Sequence, residues 1–129
     1  MSTQVLASDR PQPGDVFDMN CPSRTVLDHV TSKWAVLVLV ALHRGPKRFS
    51  ALRRAVGGVS EKMLAQTLRT LEADGFLLRE VAPTTPPQVT YSLTTLGTEL
   101  TEHLTVLLGW IEARIPEIED ARRGRATAG

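Results

Sequence analysis

Apolar and polar positions along residues 21–115 follow two periods, and turn residues mark each change between them. Behind Cys21-Pro22, where proline suits a first helical position, Val26, Leu27 and Val30 recur at helical spacing and predict a helix to about Thr31. Ser32 is a good N-cap for a second helix, Lys33 to His43, which is apolar on most sides and therefore central. Gly45-Pro46 stops it, and Lys47-Arg48-Phe49 reads as a very short strand. Ser50 is expected to cap a third helix, Ala51 to Val56, with Leu52 and Val56 facing inward. After Gly57-Gly58-Val59, Ser60 caps a fourth helix from Glu61 to Asp74, closed by Gly75 in the left-handed conformation. The period then shortens: Phe76 to Val81 and Gln88 to Leu93 read as strands, the second alternating Val89, Tyr91 and Leu93 with Gln88, Thr90 and Ser92. Ala82-Pro83-Thr84-Thr85-Pro86-Pro87 joins them as a hairpin loop, and Thr94 caps a last long helix to about Ile115, limited by Pro116.

Two short helices joined by three residues containing glycine form a helix-turn-helix, and a hairpin directly after it is a wing. The fold class is therefore α+β, mainly α: a winged helix-turn-helix over residues 21–115 with N- and C-terminal dimerisation helices, residues 1–20 as a flexible N-terminal arm and 116–129 as a C-terminal tail, polar and frayed from Ala121. A chain of 129 residues with 42% hydrophobic and 22% charged residues suits one soluble domain with one core. The longest apolar stretch, Trp34 to Leu42, is too short to span a membrane, and no charged-then-apolar leader opens the chain. The single cysteine, Cys21, forms no intramolecular disulfide, which fits a cytoplasmic location.

Net charge is only +1, but its distribution is uneven. Arg24 to Arg79 holds ten basic residues against four acids, a balance of +6, whereas Glu80 to Asp120 holds seven acids against Arg114 alone, a balance of −6. A basic centre beside an acidic terminal helix fits one surface that meets phosphate and another turned away from it. On the fourth helix, Leu64, Leu68 and Leu71 share the inward face, and Lys62, Gln66 and Arg69 lie opposite. Arginine pairs bidentately with guanine and glutamine with adenine, so Gln66 and Arg69 are the candidates for reading base edges in double-stranded DNA. Ser60 and Lys62, at the helix N-terminus, are placed for phosphate, and Lys47, Arg48, Arg53 and Arg54 read as phosphate clamps.

Other chemistry is sparse. His29, His43 and His103 stand alone, with no second ligand at metal spacing, and no phosphate-binding loop or nucleophile elbow is present, so neither an enzyme nor a metal or cofactor is expected. Cys21 is the one reactive side chain. At a helix start, exposed beside the arm, it is a candidate sensor of oxidant or electrophile. The last helix carries Leu96, Leu100, Leu104, Leu107, Leu108 and Ile111 on one stripe, more apolar surface than a small domain needs, so Leu100, Leu104, Leu107, Leu108 and Ile111 are the candidate homodimer interface.

Cys21-Pro22, Lys33-Trp34, the run Gly45-Pro46-x-Arg48-Phe49-Ser50-x-Leu52-Arg53-Arg54, and Ser60-x-Lys62-Met63-Leu64-x-Gln66-x-Leu68-x-x-Leu71-Glu72-x-Asp74-Gly75 resemble the HxlR family of winged-helix regulators. Pro86-Pro87-x-Val89-x-Tyr91-x-Leu93-Thr94-x-Leu96-Gly97 completes the likeness, which spans about residues 20–112 in order and with matching spacing. The resemblance implies a homodimer joined by its first and last helices and a regulator of nearby genes, often under electrophile, oxidant or aldehyde stress. It also implies that Ser60, Lys62, Met63, Gln66 and Arg69 lie at the DNA, with Arg48 and Arg53 near the backbone. Gln88 stands where the family has a basic residue after the paired prolines, so the wing is expected to contribute less than the fourth helix.

The expected function is a sequence-specific transcriptional regulator, a repressor for want of a second domain to recruit polymerase, acting as a homodimer on an inverted repeat. One alternative is a regulator of the same fold answering a small organic effector in a pocket lined by Trp34, Val38, Leu107 and Trp110. Another is a winged helix used only for protein interaction.

Overall fold

The computed structural model describes residues 15–128, with side chains in the last helix to 125; residues 1–14 of the expected arm lie outside this range. Residues 15–20 form turns closed by Asp18 N–H to the Asp15 carbonyl, 3.0 Å, and Cys21 N–H to the Asp18 carbonyl, 2.9 Å. The order of elements is α1 (Pro22–Val30), α2 (Lys33–His43), β1 (Lys47–Arg48), α3 (Phe49–Ala55), α4 (Glu61–Ala73), β2 (Leu77–Ala82), β3 (Gln88–Leu93) and α5 (Thr95–Ala128).

Helix α2 is the centre. Its Ala35, Val38, Leu39, Ala41 and Leu42 are buried, and Leu52 and Val56, Leu64, Leu68 and Leu71, Phe76 and Leu77, and Leu104 close around them. Ser32 starts the helix by accepting the Ala35 N–H at 3.2 Å, and the chain bends by 72° between α1 and α2. Among the described residues no single helix is long and apolar enough to cross a membrane.

The sheet is antiparallel, in the order β1-β3-β2, with Lys47 opposite Tyr91 and Arg48 opposite Thr90 on one side and Leu77 through Ala82 paired with Leu93 through Gln88 on the other. Helix α4 ends in a Schellman turn: Phe76 N–H bonds the Leu71 carbonyl and Gly75 N–H the Glu72 carbonyl, both at 3.0 Å, with Gly75 at φ 86°. That turn throws the chain from α4 straight into the wing. The start of α5 is tied back to the same corner. Thr94 donates its hydroxyl to the Gly75 carbonyl at 2.7 Å, its N–H to the Phe76 carbonyl at 3.1 Å, and accepts the Gly97 N–H at 3.0 Å.

Three expectations change. Helix α3 starts at Phe49 rather than Ala51, capped by the extended backbone of Arg48 without a side-chain bond, because the β1–β3 pairing ends at Arg48 and the chain turns directly into the helix. Ser50 is therefore inside α3 and is not its cap. Helix α5 does not stop at Ile115; it runs through Pro116 to Ala128, so the tail is helical. A proline removes one helical N–H and crowds the preceding turn, and the Glu, Ile, Asp, Ala and Arg residues that follow are compatible with resuming the helix. Cys21 does occupy the N-cap of α1, as its sequence position suggests, but its side chain is wholly buried rather than exposed.

Candidate nucleic-acid interface

Helices α3 and α4 are joined across Val56–Ser60, with Val56 and Val59 buried as plugs beneath the turn. Gly58 takes φ 88° there, a left-handed backbone that favours glycine, and a Cβ on it would lie 3.7 Å from the Trp34 ring. The Ser60 hydroxyl accepts the Met63 N–H at 3.1 Å and fixes the first turn of α4, while its own hydrogen finds no acceptor among the described residues.

Helix α4 is divided along its length. Leu64, Thr67, Leu68 and Leu71 are buried, so the helix cannot rotate about its axis without exposing them. Lys62, Gln66 and Arg69 are exposed on the other side, with Met63 beside them. Among the described residues no hydrogen bond or ion pair engages the exposed side chains of Lys62, Gln66 or Arg69. The other candidate basic side chains lie on β1 and α3. Arg48 leaves the end of β1, Lys47 is half-buried on the same strand, and Arg53 and Arg54 are exposed on the last turn of α3. Arg54 is likewise unengaged. Arg53 is not: its Nη1 donates to Glu61 Oε2 at 2.8 Å. This pair brings Glu61 into the candidate interface, which helical periodicity does not reveal, because the pair spans the turn between two helices.

The wing tip, Pro83 to Pro87, carries no charge, and Thr84 donates its hydroxyl to the Pro86 carbonyl at 2.8 Å across a cis Thr85–Pro86 bond. Arg79 is exposed further back on β2. Below the far end of α4, His29 Nδ1 and Asp74 Oδ2 are 2.6 Å apart and join α1 to the C-cap of α4.

The candidate dimer residues separate into two groups. Leu104 is buried and Leu100 packs on the core, so these two belong to the subunit's own interior. Leu107 is half exposed, Leu108 and Ile111 are partly covered, and Val106, Trp110 and Ile115 extend the apolar surface along the same helix. The expected effector-pocket residues are dispersed in role. Val38 is core, Trp34 packs toward Gly58 under Lys33 Nζ at 4.3 Å, and Leu107 and Trp110 are on the outer part of α5. A groove of about 210 Å³ lies elsewhere, between α1 and α4, lined by Asp28, His29, Ser32, Ala35, Met63, Gln66, Thr67, Thr70 and Leu71. Among the described residues no group of three or more His, Cys, Asp or Glu side chains is placed to hold a metal ion.

The sequence and fold match known proteins. The model of the HxlR-like helix-turn-helix family matches residues 29–119. The HTH-type transcriptional regulator YtfH of Escherichia coli (strain K12) is 54% identical over 124 residues, covering 96% of this chain and 98% of that protein. Among solved structures, the transcriptional regulator ytfH from Salmonella typhimurium superposes with a TM-score of 0.81 at 55% identity, over 85% of this chain and 98% of that one. The redox regulator HypR in its oxidized form superposes with a TM-score of 0.67 at 38% identity, over 72% of this chain and 96% of that one. The chain belongs to the HxlR-like helix-turn-helix family of transcriptional regulators.

Proposed function

We propose that the protein is a homodimeric, sequence-specific repressor that inserts α4 into the major groove at each half of an inverted repeat. One observation carries this reading: α4 is clamped by four buried side chains on one face and presents Lys62, Gln66 and Arg69, unengaged by any described residue of the chain, on the other. A helix held rigidly with bidentate-capable side chains facing outward is what direct readout of base edges requires. In this reading Gln66 and Arg69 read bases, Met63 packs beside them, and Ser60, Lys62, Lys47, Arg48 and Arg54 meet phosphates. The outer half of α5, through Leu107, Leu108 and Ile111, joins a second copy of the chain. Two helices α4 related by a twofold axis then fall about one helical turn of DNA, roughly 34 Å, apart. A dimer seated on a promoter excludes polymerase by occupancy.

Likeness to HypR, named a redox regulator, supports a second element, in which oxidant or electrophile acts through Cys21. Because that thiol is buried at the α1 N-cap, attack on it requires the start of α1 to open first.

The test is fluorescence anisotropy with a duplex from upstream of the protein's own gene. The expected result is tight binding that weakens steeply with salt, and a loss of about tenfold or more for Arg69→Ala, the value of one bidentate base contact. Absence of any salt-dependent duplex binding would contradict the proposal and favour a winged helix used for protein interaction.

A further inference from the structure

Arg53, Arg54, Lys62 and Arg69 are the basic residues of the two helices that form the candidate interface. Among the described residues, only Arg53 of these four has a carboxylate partner, Glu61 at 2.8 Å. Both partners are open to solvent, the arginine side chain 47% and the glutamate 71% exposed, so the pair is weak, and giving it up is favoured when Arg53 and Glu61 both find a partner outside the chain. Its position gives the exchange a meaning. Glu61 is the first residue of α4, at the end that a helix-turn-helix carries toward the major groove, where its carboxylate is favoured by the helix dipole and repelled by phosphate. The base-edge partner that suits a carboxylate in that groove is the amino group of cytosine. Arg53, on the last turn of α3, faces a notch shared with Phe49, Ser50 and Arg54.

Taking α4 as the recognition helix, as proposed above, we infer that Glu61 is a specificity-determining residue that holds Arg53 off the DNA backbone until a cytosine amino group engages its carboxylate. On a wrong sequence the Arg53–Glu61 pair persists and one potential phosphate contact per subunit is withheld. On the right sequence Glu61 transfers to the cytosine and Arg53 is released to phosphate. A base contact and a backbone contact thereby form together, which widens the gap between specific and non-specific binding. No bond is made or broken in the exchange beyond these ion pairs and hydrogen bonds.

The test measures binding to a mixed-sequence duplex as a function of salt for the wild type, Glu61→Gln, Arg53→Ala and the double variant. With two Arg53 side chains released per dimer, Glu61→Gln is expected to steepen the log–log salt slope by about 1.8. The double variant should return to the wild-type slope, and Arg53→Ala alone should leave it unchanged. Glu72→Gln, which removes an exposed charge of α4 outside the pair, should not steepen it. On an operator selected from random duplexes, Glu61→Gln should lower the ratio of specific to non-specific affinity about tenfold. Two results would overturn the inference while leaving the recognition-helix reading intact: parallel slopes for wild type and Glu61→Gln, or a flatter slope for Arg53→Ala alone. Failure of the wild type to bind any duplex would remove that reading and this inference with it.

Discussion

Gly97 stands on the first turn of α5 where that helix crosses the start of β2, and substituting it tests how the terminal helix is fixed to the wing. A Cβ at this position would run into the Phe76 carbonyl oxygen and lie 3.0 Å from the carbonyl carbon and 3.3 Å from the Phe76 Cα. All three atoms are backbone, held by the Schellman turn on one side and the β2–β3 ladder on the other, so no side chain can swing away. Alanine would gain up to about 1 kcal/mol of helical preference over glycine. Overpacking against fixed backbone costs about 1–3 kcal/mol, and displacing Thr94 from its bonds to Gly75 and Phe76 adds about 1 kcal/mol for each bond lost. The net expectation for Gly97→Ala is a destabilisation of about 2–4 kcal/mol. Gly109 on the same helix is the control. A Cβ there meets nothing within 4 Å, so Gly109→Ala should stabilise by roughly 0.5–1 kcal/mol through helix propensity alone. Urea unfolding at one fixed protein concentration reads both, since association shifts the midpoint of an oligomer. A Gly97→Ala protein as stable as the wild type, or more so, would refute the close approach of α5 to β2.

Two further outcomes are expected. If α5 joins two subunits as proposed, Leu107→Glu, which places a charge in its half-exposed apolar surface, should shift the protein to monomer in sedimentation with its helical circular dichroism retained; an unchanged sedimentation coefficient would contradict a dimer joined through Leu107. Cys21 should react with Ellman's reagent slowly in the native protein and rapidly in urea, because its burial makes opening of α1 rate-limiting, and immediate native reaction would contradict that burial.

How much of this was legible in the sequence depends on where the deciding interaction is made. Helix α2 and strand β3 have the limits expected from sequence, and α4 differs by a single residue at its end, because their boundaries are set locally, by Ser32, Ser60, Gly75 and the alternation of Val89, Tyr91 and Leu93. The outward row Lys62, Gln66 and Arg69 was legible for the same reason, since one helical period determines both faces. The start of α3 was not, because the β1–β3 ladder decides it and Ser50 only mimics a cap. The length of α5 was not, because proline restricts a turn without forbidding the helix beyond it. The stripe on α5 does not reveal its division between the subunit core, at Leu100 and Leu104, and the outer face, at Leu107. The Arg53–Glu61 pair and the burial of Cys21 depend on how separate segments meet in space, which periodicity does not encode.

In the proposed function, α4 reads DNA sequence through Gln66 and Arg69 in a twofold assembly. Selection of binding sites from a random duplex pool, carried out with the wild type, Gln66→Ala and Arg69→Ala, tests it most directly. The expected outcome is an inverted repeat with half-site centres about 10 base pairs apart, in which Arg69→Ala loses preference at a guanine and Gln66→Ala at an adenine in each half. Recovery of the same motif by all three proteins, or of no symmetric motif by the wild type, would contradict it.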